Sequence, residues 1–81
     1  MKIWVVNYSD GNGNETLSAF HTMNGVIKYR ADLAREWWEY EFNEPVPTDM
    51  EDAELGVQYF HQVADLMSTE RFHFEQVEVE E

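Results

Sequence analysis

Lys2-Ile3-Trp4-Val5-Val6-Asn7-Tyr8, then Ser9-Asp10-Gly11-Asn12-Gly13-Asn14, then Glu15-Thr16-Leu17-Ser18-Ala19-Phe20: this opening stretch decides the fold. The first segment is β-branched and aromatic, and it alternates Ile3 and Val5 against Trp4, Val6 and Tyr8. Such a pattern fits an extended chain whose side chains point to opposite faces in turn. Both faces are apolar, so the spacing predicts a central strand. The Gly/Asn-rich middle segment supplies the positive φ angles that a hairpin loop needs. Glu15 to Phe20 is then the returning strand, with Leu17 and Ala19 alternating against Thr16, Ser18 and Phe20.

Beyond the hairpin the period changes from two to three or four. Thr22 is placed as a helix N-cap. Val26, Ile27, Leu33, Ala34, Trp37 and Trp38 recur at helical spacing. Lys28, Asp32, Arg35 and Glu39 occupy the other side at intervals that support a helix. Gly25 weakens the first turn, so the helix is expected to begin later than Thr22 implies. Asn43-Glu44-Pro45-Val46-Pro47 ends it with a stiff connector. Thr48 and Glu51 fit a capping box for a second helix, reinforced by Asp49 and Asp52. Its buried stripe is read as Met50, Ala53, Val57, Phe60, Ala64 and Met67, widened by Val63, with an end near Ser68.

Arg71 to Glu80 reads as the last strand. Phe72 and Phe74 share one phase and Val77 and Val79 the other. Either both faces are partly covered or a bulge near Glu75-Gln76 shifts the phase. The expected fold class is therefore α+β, in the order β-β-α-α-β. A three-stranded, mainly antiparallel sheet carries two helices packed on one face, with the first strand central. Residues 1–81 form a single small acidic domain, since the length leaves no room for a second core.

Charge bounds the function. Seventeen acidic residues oppose five basic ones, for a net charge of −12. Phosphates would be repelled, so no direct nucleic-acid binding is expected, nor docking on an anionic membrane. A basic partner is favoured, and electrostatic steering would speed the encounter. Solubility alone also accounts for a charge of this size. The absence of cysteine fits a reducing compartment, so the expected location is the cytoplasm. The apolar N-terminal run is too short for a signal peptide, and no stretch approaches the ~20 apolar residues that span a bilayer.

Little in the chain points to catalysis. Gly11 and Gly13 lack the Lys-Ser/Thr and helix of a phosphate-binding loop. No nucleophile elbow is present. His61 with Asp65, and His73 with Glu75, have spacings that could share a metal, but acidic-rich sequence yields such pairs readily. No cofactor, metal or enzymatic activity is expected.

Trp37-Trp38-Glu39-Tyr40-Glu41-Phe42 is more unusual, with four aromatics in six residues. All four cannot enter one small core, and aromatics dominate interface hot spots. Mixed with acids, an exposed ring suits arginine-rich partners, through ion pairing and stacking. The plain alternative puts Trp37 and Trp38 in the core, with Tyr40 and Phe42 along its edge. The candidate partner-binding residues are Glu36, Trp38, Glu39, Tyr40, Glu41, Glu44, Asp49, Glu51, Asp52 and Glu54. The short Pro45-Val46-Pro47 connector is expected to bring the two acidic clusters into one continuous face. Carboxylates three or four apart on a helix rise ~4.5–6 Å, against ~3.4 Å between DNA phosphates along one strand.

In these residues the chain resembles the small acidic inhibitors encoded by phages, including DNA-mimic and anti-CRISPR proteins. The likeness is compositional and covers about a quarter of the chain, at Glu36, Trp38, Glu39, Tyr40, Glu41, Glu44, Asp49, Glu51, Asp52 and Glu54. The opening Lys2-Ile3-Trp4-Val5-Val6, the hairpin and the ending Phe72-His73-Phe74-Glu75-Gln76-Val77-Glu78-Val79-Glu80 also resemble small phage proteins. The resemblance implies a non-enzymatic protein that occupies a basic, nucleic-acid-binding surface of a host nuclease or defence complex, in the host cytoplasm. The alternative is a small interaction or structural accessory module, homodimeric or with another partner, and without mimicry.

Overall fold

The computed structural model describes residues 1–66 and 70–80. Strands β1 (Lys2–Ser9), β2 (Glu15–Phe20) and β3 (Arg71–Glu78) form one sheet in the order β2-β1-β3. Helices α1 (Met23–Phe42) and α2 (Asp52–Asp65) lie between β2 and β3 in sequence. All pairings are antiparallel and β1 is central, as its two apolar faces imply.

The hairpin turn is built by Asp10. Its Oδ1 accepts from the backbone N–H of Asn12 at 2.8 Å, and its Oδ2 from the Asn14 side-chain amide at 2.9 Å. Gly11 and Gly13 take φ of 84° and 93°, which a side chain would disfavour. The register between β1 and β3 runs from Lys2 opposite Glu78 to Ser9 opposite Arg71 without interruption. No bulge occurs at Glu75-Gln76, so both faces of β3 carry apolar residues. Trp4, Val6 and Tyr8 share the inner face with Phe20, Phe72 and Phe74, while Ile3, Val5, Leu17, Ala19 and Val77 share the outer one.

Aromatic rings join the inner face to the helices. Phe60 of α2 meets Tyr8 edge-on at 6.3 Å and Phe72 at 5.3 Å, while Tyr29 of α1 lies between Phe20 and Phe72. The guanidinium of Arg30 stacks over Phe72 and Phe74 at 5.9 and 5.8 Å. Burial lowers its pKa. Against α1, helix α2 packs Leu55, Tyr59 and Val63 around Ala34 and Trp38, flanked by Trp37, Phe42, Val46, Met50 and Phe60.

Thr22 caps α1 as expected, its Oγ1 accepting from the Gly25 N–H at 3.2 Å. Gly25 delays nothing, since the helix starts at Met23. The other end stops at Asn43, in the left-handed conformation with φ 54°. Two sequence expectations for α2 are corrected. Its N-cap is Glu51, with no side-chain cap, and Thr48 sits in a bend three residues too early. Val46 and Met50 pack on the core, so the chain crosses the cluster before it winds. The buried face is also in another phase. Leu55, Gly56, Tyr59 and Val63 are buried, whereas Ala53, Val57 and Ala64 are exposed. Apolar residues span about 200° of α2, opposite a polar face of Glu54, Gln58, His61, Gln62 and Asp65, and periodicity alone does not choose which part of that wide arc is buried. Gly56 does: a Cβ there would lie 2.7 Å from Arg30 Cγ, and its absence lets α2 approach α1 on that side. The expected Met67 and Ser68 end of the helix lies outside the described residues.

Candidate functional site

Successive residues on a helix turn by about 100°, so the aromatic-acidic run of α1 splits among several directions. Trp38 is 2% exposed and stacks edge-on against Phe42 at 4.8 Å. It belongs to the core, and its assignment as a contact residue is corrected. Tyr40, two residues on, is 80% exposed and is the free ring. Trp37 is half-buried and meets Tyr40 edge-on, with centroids 5.9 Å apart.

A groove of about 330 Å³ opens beside these two rings, lined by Asp10, Asn12, Trp37, Tyr40, Glu41 and Glu70. The hairpin turn, the last turns of α1 and the residue before β3 thus meet at one end of the sheet. Each carboxylate is placed differently. Asp10 is held by the turn, and the Asn14 side-chain amide, followed by the Asn12 N–H, lowers its pKa. Glu70 accepts a 2.5 Å hydrogen bond from the Tyr8 hydroxyl. Glu41 is half-buried and makes no hydrogen bond or ion pair among the described residues.

Two phenols lie beneath the groove. Burial, reinforced by Glu70, raises the pKa of Tyr8 far above the phenol range, with Asp10 and Glu36 adding to the effect. Tyr59 is raised in the same way, first by burial, then by Glu70 and Glu41. Its hydroxyl sits beside Glu70 without a hydrogen bond of ordinary geometry.

The remaining predicted acids do not converge on the groove. Asp52 forms a short ion pair with Arg35, which also contacts Asp32 at 3.3 Å. That cluster lies along α1 away from Tyr40. Glu39, Glu44, Asp49, Glu51 and Glu54 are exposed, and none makes an ion pair among the described residues. Only Tyr40 and Glu41 of the predicted set line the groove, with Glu36 acting on Tyr8 beneath it. Asp10, Trp37 and Glu70 escaped the sequence reading. Asp10 carries a strong turn signal, and Trp37 reads as core from its spacing. Glu70 lies far along the chain from both, and no local pattern marks it.

His61 and Asp65 approach to 3.9 Å on α2. Among the described residues no group of three or more His, Cys, Asp or Glu side chains is arranged to hold a metal ion. No helix among them is long and apolar enough to cross a membrane. Comparison with protein-family models, with curated proteins and with solved structures returns no match. The fold and groove define a small acidic α+β domain with an acid-and-aromatic recess at one end of its sheet.

The uncompensated charge has a direct consequence for stability. Raising NaCl from low to moderate concentration is expected to raise the thermal midpoint, because screening weakens repulsion among seventeen acids that only five bases offset. A thermal melt series checks this. An unchanged or falling midpoint would show that local pairing already neutralises the acids.

Proposed function

We propose that the protein is a non-enzymatic binding protein that docks on a basic protein surface, and that it inhibits a nucleic-acid-binding partner by occupying that surface. One observation carries this reading. Glu36 and Glu39 on α1, Glu44, Asp49 and Glu51 in the connector and Glu54 in the first turn of α2 stand exposed, with no ion pairs among the described residues, and Tyr40 is bare next to Glu39. Exposed carboxylates without ion pairs repel one another, and such a surface is complementary to a lysine/arginine groove. The resemblance to phage inhibitors supports the same mode and suggests a host nuclease or defence complex as the partner.

The test is competition. A partner captured from lysate at low salt should be a nucleic-acid-binding protein, and this chain and DNA should exclude one another from it. The logarithm of its affinity should fall steeply with that of salt concentration. Simultaneous binding of DNA, or indifference to salt, would overturn the mimicry. The accessory-module alternative is favoured by a different observation: Ile3, Val5, Leu17, Ala19 and Val77 form an apolar patch on the outer sheet face, bordered by Asn7, His73 and Glu75, and Leu17 is 72% exposed. Sedimentation of the purified chain distinguishes a homodimer built on that face.

A further inference from the structure

We propose that the groove between the hairpin turn and the end of α1 is a receptor for one guanidinium group, supplied by an arginine side chain of the protein partner. The inference deepens the proposed function and rests on it for the class of partner. Its volume, about 330 Å³, is at the small end of the ~300–1,000 Å³ typical of ligand pockets. That size suits a single side chain better than a polymer.

The chemistry of the lining selects a cation. Asp10, Glu41 and Glu70 contribute three carboxyl groups, and no lysine or arginine is among the described residues that line the groove. The chain's own cations are engaged elsewhere or lie outside it. Lys28 and Arg35 pair with Asp32 and Asp52. Arg30 is stacked on Phe72 and Phe74. Lys2 is at the start of β1, and Arg71 begins β3 on the outer face with Val77. Glu41 therefore sits half-buried near like charges with no internal cation against it, an arrangement that a bound cation relieves.

The aromatic part of the lining distinguishes which cation. Trp37 and Tyr40 stand nearly perpendicular, at 77°, so a flat group lying on one ring meets the other at its edge. A guanidinium is planar, weakly hydrated and stacks on rings, and its fork of donors matches a carboxylate. An ammonium is compact and strongly hydrated, and gains less from leaving water. The receptor is also held in place before any ligand arrives. The turn's own donors fix Asp10, and the Tyr8 hydroxyl fixes Glu70. Tyr59, wholly buried, holds its hydroxyl beside Glu70 and within the field of Glu41. Preset groups lose less freedom on binding.

Oligo-arginine and oligo-lysine peptides of equal length, with free arginine as a third probe, test the assignment by titration calorimetry at low salt. The arginine peptide is expected to bind about five-fold tighter than the lysine peptide. Tyr40→Leu, at an exposed position, should bring the two peptides near parity while leaving the melting temperature unchanged. Glu41→Gln should weaken the arginine peptide several-fold and at the same time raise the melting temperature of the free protein, a pairing that a purely structural glutamate would not show. Equal affinity for both peptides in the native chain, or a preference that survives Tyr40→Leu, overturns the guanidinium receptor and leaves the broader acidic reading standing. Binding of neither peptide removes both. Free arginine binding as tightly as the peptide overturns the assignment to a partner's side chain.

Discussion

Trp38→Ala is expected to unfold the domain, whereas Tyr40→Ala two residues away should leave its stability nearly untouched. Trp38 is enclosed by Ala34, Leu55, Tyr59 and Val63, with Phe42 and Tyr59 as ring neighbours. Truncating a buried tryptophan to alanine costs about 3–5 kcal/mol, as lost transfer energy plus a cavity. A chain of 81 residues has a net stability on the order of 5 kcal/mol, so little or nothing would remain. Tyr40 is mostly in solvent, and surface changes of that kind usually stay within about 0.5 kcal/mol. Trp38→Phe separates ring from donor. The indole N–H is buried without a hydrogen-bond partner among the described residues, so the smaller ring loses volume but also removes an unsatisfied group. Urea unfolding followed by circular dichroism measures all three. A Trp38→Ala protein that unfolds at the wild-type midpoint would show that the tryptophan is not part of the core.

The second large effect is expected at high pH. Tyr8 and Tyr59 are both buried, and burial assisted by Glu70 raises each phenol's pKa. In the unfolded chain a phenol titrates near ~10. Above that pH the unfolded state has released two protons that the folded state retains, so the proton difference between unfolded and folded forms is negative and stability falls as pH rises. Below ~10 both states hold these protons and the tyrosines add no pH dependence. Each retained proton lowers stability by about 1.4 kcal/mol per pH unit, so two remove roughly 2.7 kcal/mol per unit. A stability on the order of 5 kcal/mol would then be exhausted about two units above the ordinary phenol value. Phenolate absorbance and far-ultraviolet dichroism, followed together from neutral to strongly alkaline pH, should show part of the tyrosine ionisation occurring in the same cooperative step as unfolding. Tyr59→Phe removes one of the two protons and should move that step to higher pH. Smooth, non-cooperative ionisation of every tyrosine before any loss of structure would mean that the two phenols are accessible in the folded protein.

Much of the scaffold was legible in the chain. Alternation in Lys2 to Tyr8, a Gly/Asn turn and a Thr22 cap are local signals, because each depends on backbone conformations that a few neighbouring residues control. The central position of β1 agrees with its apolar content, although its outer face is not packed by the helices and the edge strand β3 also carries apolar residues on both faces. Reading α2 from sequence failed where local rules compete. Thr48 and Glu51 make a satisfactory capping box in isolation, but burial of Val46 and Met50 outweighs a cap contributing ~1 kcal/mol. The phase of α2 was undetermined because its apolar arc is wider than the face that it buries. Gly56 settled it by allowing close approach at Arg30, and a missing side chain gives no hydrophobic periodicity to read.

What the sequence determined by itself is the class of surface: net charge, the density of acids along α1 and the excess of rings over core space follow from composition and spacing. Which ring is free was a question of tertiary structure. Trp38 and Tyr40 differ by about 200° of helix rotation, and only the docking of α2 against one side decides that Trp38 is enclosed and Tyr40 is not. The groove depends on tertiary structure most of all. Asp10, Glu41 and Glu70 come from a turn, a helix end and the entry to the last strand, and no spacing rule connects them. They meet because β1 pairs with β2 on one edge and β3 on the other, which brings the hairpin turn and the start of β3 to the same end of the sheet, beneath the last turns of α1.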